Sequence, residues 1–315
     1  MLVQKIKNRL EEEKYVNKYT NQLDKTINRI DNDMMQMFKK SNNKGNWSQA
    51  ELAKYNRKMK LKEQIRSEIK KYKSNFISNY RDDLAGLYKN ESLFTQNLLK
   101  NTSELGINQE FNRLPTRAIK SEVVDSVTIK GKTMTEYVSR YGNDLAFRIE
   151  QELFESVALG ENPEKTARRL NEATKKLGYN RVEMTTRSWN NAILNQSNLD
   201  VYEQANLEKV RYLATLDVRT CPECSVDHNN VYVIGEQPFL PRHPDCRCAY
   251  SPFIESEVTN PARTYEGWLL DGRRSPEQLN KVLSQVKSYT NRGIIRKKEG
   301  RHLIGVIGAA MKKVN

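Results

Sequence analysis

The sequence predicts a mainly α-helical protein carrying one small β element stapled by cysteines. Three observations lead there. Through most of residues 2–207, apolar side chains recur at three- and four-residue steps, the period of one helix face. From Val210 the period shortens to that of strands, and loops rich in Pro, Gly and Asn separate the runs. All four cysteines fall inside this second region, as Cys221-Pro-Glu-Cys224 and Cys246-Arg247-Cys248.

The N-terminal stripe Leu23, Ile27, Ile30, Met34 and Met37 places one long helix over 2–38. Ser41–Asn46 breaks it, and Ser48 with Glu51 three positions later forms a capping box for a second helix. Its stripe runs Leu52, Tyr55, Met59, then Ile65, Ile69, Tyr72 and Phe76, continuing to Tyr80, Leu84 and Leu87. Two such helices joined by a short polar loop make an antiparallel hairpin. Shorter helices are expected over 92–118. The β-branched run Val123–Ile129 and the turn Lys130-Gly131-Lys132 read as a short strand and turn.

Three helices follow in the reading: about 135–158 with Tyr137, Leu145, Ile149 and Leu153 inward, stopping at Gly160; one from Asn162-Pro163 to just before Gly178; and 181–207 with Trp189, Ile193 and Leu194. Strands are expected at Val210–Leu216, Val231–Ile234 and Cys248–Tyr250. After Pro261 the chain reads as basic and irregular, apart from a helix from Ser275-Pro276 to Tyr289 and an apolar patch, Leu303–Met311, that suits a docking strand or a buried end. The expected organisation is a basic helical hairpin arm over 1–90, a mainly helical core over 91–208, a metal-binding β element over 209–258 and a basic C-terminal tail over 259–315.

A hydrophobic fraction of 37% and a mean hydropathy of −0.80 are low for one large compact core and fit long, solvent-rich helices. No run approaches the ~18 apolar residues of a membrane span. Met1–Arg9 has no apolar signal core, so a reducing cytoplasm is expected, where thiols do not pair as disulfides. The net charge of +14 is uneven. Residues 1–80 carry 19 basic and 9 acidic side chains, and residues 81–200 carry 17 of each. Residues 201–258 carry 5 and 9, and residues 259–315 carry 12 and 4. Basic ends on a neutral middle suit a polyanionic partner; the plainer alternative is the solvated faces of surface helices.

A Cys-x-x-Cys knuckle directs two sulfurs at one point while turn amides support their charge, and donors from a distant segment complete a tetrahedron. Here that second segment offers His243, Cys246 and Cys248 beside Cys221 and Cys224. Five donors compete for four positions. Four thiolates, with His243 as the alternative donor, are favoured; either set closes a structural site. A lone small site with no redox partner favours Zn2+ over iron. A catalytic zinc would need an open position; Asp217, Asp227, His228 and Asp245 are near in sequence, but spacing alone does not fix their geometry. A thioredoxin-like role is disfavoured because the knuckle follows no βαβ pattern.

Leu213-Ala-Thr-Leu-Asp217-Val-Arg219-Thr220-Cys221-Pro-Glu-Cys224, followed after a loop by Pro241-Arg-His243-Pro244-Asp-Cys246-Arg247-Cys248, resembles the signature of the phage head morphogenesis family, the Mu F-like minor head proteins of tailed bacteriophages. The likeness covers about residues 119–252. It includes the Gly131-Lys-Thr133 turn, Gly160 with Asn162-Pro163, and Thr186-Arg187-Ser188, where the family commonly has Arg-Thr-Glu; the glutamate is absent here. The resemblance implies a minor capsid component linked to portal protein, scaffold or major capsid protein, with no catalysis by the core domain. It places the chain in the virion's capsid interior, and in host cytoplasm during assembly. The basic arms would then contact double-stranded DNA without reading sequence. The alternatives are an assembly adaptor with no DNA role, or a zinc-dependent nuclease, for which no metal-carboxylate cluster is recognisable. Insertion of the Leu303–Met311 patch at a membrane surface is a further, weaker possibility.

Overall fold

The computed structural model describes residues 2–39, 57–101, 107, 110–159, 161–253 and 264–314. The expected break at Ser41–Asn46, the cap residues Ser48 and Glu51, the stripe positions Leu52 and Tyr55, and Gly160 and Pro261 lie outside the described residues, as does the side chain of Met37. By internal contacts the chain forms two compact units, Met1–Leu87 with Pro115–Ile193, and Tyr88–Leu114 with Leu194–Asn315.

In the first unit, α1 (Leu2–Lys39) and α2 (Arg57–Lys100) lie antiparallel. Their partners run in opposite order: Lys18 pairs with Asp83 at 2.6 Å, and Arg29 pairs with Glu68 at 3.0 Å. Between them the Tyr19 ring packs on Phe76 and Tyr80 at centroid distances of 4.5 and 5.1 Å. Tyr19, Leu23, Ile27, Ile30 and Met34 are buried, as the stripe requires. Met59 is exposed instead, and Leu61 takes the buried position.

The hairpin packs on α4 (Met134–Ala158) and on the first part of α5 (Pro163–Gln204). The buried Tyr80 hydroxyl lies 2.7 Å from the Thr186 carbonyl and 2.8 Å from Asn190 Oδ1, while Arg66 meets Glu150 at 2.7 Å. Arg187, in the stretch that lacks the glutamate of the family pattern, pairs with Glu13 and Glu183.

Two local expectations are corrected here. The run Val123–Ile129 is strand only at Thr128–Ile129 (β1), which pairs with Lys132–Thr133 (β2). Before it, α3 (Thr116–Ala118) continues into a π-helical turn, Ile119–Val124. Ile119, Val123, Val124 and Val127 are all buried, a spacing that a helical turn places on one side; packing overrides β-propensity. The two helices expected on either side of Gly178 are one continuous helix, α5. A Cβ at Gly178 would sit 2.4 Å from Leu23 Cδ2 and 3.1 Å from the Tyr141 hydroxyl, so this glycine serves close helix approach rather than helix termination.

In the second unit, β3 (Lys209–Leu213) is the centre of an antiparallel sheet of order β4-β3-β5, with β4 at Val231–Val233 and β5 at Ala249–Pro252. Tyr212 stands opposite Tyr250, and their rings meet edge to face at 5.9 Å. The helical turn α6 (Pro222–Val226) follows β3. The C-terminal stretch, read as irregular around one helix, forms three: α7 (Tyr265–Leu270), α8 (Pro276–Asn291) and α9 (Lys297–Val314). Ser275 and Gln278 form the expected capping box of α8. The apolar patch is neither a strand nor free: Leu303, Ile307 and Ala310 are buried on one face of α9, in a cluster with Leu269, Val282 and Val286. Among the described residues no helix is long and apolar enough to cross a membrane.

Candidate metal centre

The knuckle is built by a helix start. Cys221 is the N-cap of α6 with Pro222 behind it, and its Sγ accepts the Cys224 amide at 3.3 Å. The orphan amides of a first helical turn thus face a sulfur, which favours its negative charge. His243 and Cys246 lie on the loop after Leu240, and Cys248 immediately precedes β5. Asp245 turns the chain between them with φ of 61°, a conformation aspartate tolerates better than most residues.

The five expected donors converge in two overlapping trios, Cys221, Cys224 and His243, and Cys224, Cys246 and Cys248, with the ligand atoms of each trio within 4.8 Å of one another. His243 Nε2 is 3.1 Å from Cys221 Sγ and 3.4 Å from Cys224 Sγ, and the sulfurs of Cys224 and Cys246 are 4.0 Å apart. Zinc bonds of ~2.3 Å to sulfur and ~2.0 Å to nitrogen give tetrahedron edges of about 3.8 Å for sulfur pairs and about 3.5 Å for sulfur–nitrogen pairs. The spacing fits. The histidine tautomer fits as well: Nδ1 lies 2.9 Å from the Pro244 carbonyl, so it carries the proton and leaves Nε2 as a lone-pair donor towards the sulfurs. The four thiols are buried, and so many acidic groups cannot all ionise without a cation. Hydrogen bonding from Cys224, with His243 beside it, pulls Cys221 down to about 5. Cys246 is likewise held low by Cys224, Cys248 and His243. Cys224 is driven well above the ordinary thiol range by Cys221 and Cys246.

A second layer ties the two halves together. Arg247 grips Asp217 with two hydrogen bonds of 2.6 and 2.8 Å, and its carbonyl accepts the Thr215 hydroxyl at 2.8 Å. Arg242 pairs with Asp227 at 2.6 Å. Asn195 was not foreseen: from α5 its amide donates to the Cys248 carbonyl at 3.2 Å, and its Oδ1 accepts the Tyr250 amide at 3.0 Å. The pair of bonds seats the cysteine strand on the helix. Asn195 lies 53 residues before Cys248, and no local pattern marks it. Three of the other candidates nearby, His228, Asp217 and Asp227, are engaged elsewhere. His228 Nδ1 accepts the Ala214 amide at 3.0 Å, and Asp217 and Asp227 serve the two arginines.

Fold and site together define a class: a mainly helical protein whose short antiparallel sheet is closed by a cysteine and histidine cluster able to hold a metal ion. Residues 148–251, about a third of the chain, match the family described as Phage Mu protein F like protein. The matched segment runs from α4 through α5 and the knuckle to β5, so it contains all five donors. No curated protein and no solved structure matches the chain.

Proposed function

We propose that this chain is a minor head protein of a tailed phage, acting inside the capsid near the portal or shell and touching packaged DNA without reading its sequence. One observation carries the reading: the segment that matches the family is the segment that builds the metal centre. In this reading the ion is a structural Zn2+ held by Cys221, Cys224, His243 and Cys246, with Cys248 alongside. The ion supplies folding free energy to a sheet too small to be stable alone.

The charge distribution supports the DNA contact. In α8, α9 and the turn between them, Lys281, Lys287, Lys297, Lys298 and Arg301 are exposed, and none pairs with a carboxylate among the described residues. Cations of this kind contact phosphates and release counterions, which gives tight, sequence-tolerant and salt-sensitive binding. Duplex-DNA binding by the full chain across a salt series tests this. A steep slope of log affinity against log salt, equal for unrelated sequences, is expected. Absent DNA binding, with capture by portal protein or scaffold that survives nuclease, would instead make the chain an assembly adaptor.

A further inference from the structure

A cavity of about 340 Å³ lies wholly within the first unit, and three elements build it. The turn between β1 and β2 contributes Lys130, and β2 contributes Lys132. From α4 come Tyr137, Arg140, Tyr141 and Asp144, whose spacing puts them on one helix face. Arg181 and Thr185, one turn apart on α5, complete the lining.

Four cations face one carboxylate in this space. Several other arginines of the unit are paired: Arg66 with Glu150, Arg169 with Glu152, Arg187 with Glu13. Lys130, Lys132, Arg140 and Arg181 make no ion pair among the described residues. Glu136, close in sequence, is used at the start of α4, where it accepts the Thr133 amide at 2.8 Å and hydroxyl at 2.9 Å. Lys130 is held at φ of 51°, a left-handed turn position that glycine or asparagine fills at lower cost. Tyr141, only 6% exposed, forms part of the floor, with its hydroxyl buried beside that of Tyr72. Four unpaired cations gathered around one concave space raise a local positive potential that suits an anion.

We infer that this cavity binds phosphoryl groups. A ligand with a single charge would leave most of the positive field uncompensated, so two or more linked phosphates suit it best, from a nucleotide or from successive backbone phosphates of a nucleic-acid strand. The guanidinium groups grip phosphate oxygens in pairs, and the lysines act as point charges.

Titration calorimetry of the full chain at low salt, with inorganic pyrophosphate, dATP, a 20-nucleotide single strand and a 20-base-pair duplex, tests the inference and separates the sources. Wild type is expected to bind pyrophosphate, and the double variant Arg140→Gln/Arg181→Gln to bind it at least tenfold more weakly. Arg168→Gln, at an exposed arginine of the same unit outside the cavity, is expected to bind it as wild type does. Loss of pyrophosphate and dATP binding by the Arg140/Arg181 variant, with nucleic-acid affinity unchanged, identifies a nucleotide site, and the DNA reading then stands or falls separately on α8 and α9. Loss of nucleic-acid affinity as well, with a shallower salt slope, identifies backbone phosphates. Lys130→Ala/Lys132→Ala, on an exposed turn, should reproduce the loss if the arginine variant is poorly folded. Wild type that binds no pyrophosphate, or variants that bind every ligand as wild type does, would overturn the inference.

Discussion

In the proposed reading, His243 supplies the one nitrogen donor of the site. Nδ1 is committed to the Pro244 carbonyl, which aims Nε2 at the sulfurs of Cys221 and Cys224 at near-tetrahedral spacing. Cys248 is differently placed. It lies in the second trio, with Cys224 and Cys246, and its carbonyl is tied to Asn195. His243→Gln is therefore expected to abolish stoichiometric zinc, read by metal analysis of the purified chain. Cys248→Ser should retain the ion, with affinity reduced by no more than the ten- to hundredfold typical of a supporting group. The reverse result would assign the site to the four cysteines. The clustering of the five candidate donors was legible in the sequence, because Cys-x-x-Cys and His-x-x-Cys-x-Cys spacings bring such side chains together. Their ranking was not, since it depends on a carbonyl that orients a ring and on an asparagine brought in from α5.

At the scale of elements, periodicity was the reliable signal and punctuation the unreliable one. Apart from Met59, the described stripe positions of α1 and α2 are buried as read, because an apolar stripe has only one way to leave water. Gly178 reads as a helix stop, yet it lies inside α5, where Leu23 presses against the backbone. A glycine chosen for close approach and one chosen for a left-handed cap look identical in a sequence. Gly178→Ala separates the two uses. Alanine gains about 1 kcal/mol in helix propensity over glycine. The new Cβ must also displace Leu23, which is fully buried, at a cost of about 1–3 kcal/mol for overpacking. A net loss of about 1 kcal/mol is expected, seen as a fall of a few degrees in the thermal midpoint. A rise would mean that Leu23 has room to turn aside. The C-terminal helices were missed for a related reason: Tyr265, Leu269, Val286, Leu303 and Ile307 join in one cluster only after folding, and the basic residues between them mask the pattern.

For the whole molecule, a metal bound at the cluster would act first on the second unit, which contains all five candidate donors. The sheet of the second unit has strands of five, three and four residues, and its apolar cluster counts the four cysteines among its members beside Val210, Tyr212, Leu240 and Tyr250. Structural zinc contributes about 10–16 kcal/mol in small peptides, comparable with the entire ~5–15 kcal/mol stability of an ordinary domain. Without the ion, buried thiols compete for protons at the centre of that cluster. In the first unit Tyr19, Phe76, Tyr80, Leu84 and Trp189 are buried, and none of the candidate donors belongs to it. A chelator strong enough to strip the ion should therefore abolish the near-ultraviolet signal of the packed Tyr212 and Tyr250 rings at temperatures where most of the far-ultraviolet helical signal persists. Zinc added back should restore it. In the loaded protein the two signals should persist together to a higher temperature. If chelation leaves both transitions where they were, the cluster is four buried thiols and not a metal centre. If both collapse together on chelation, the two units are one cooperative body, and the metal stabilises all of it.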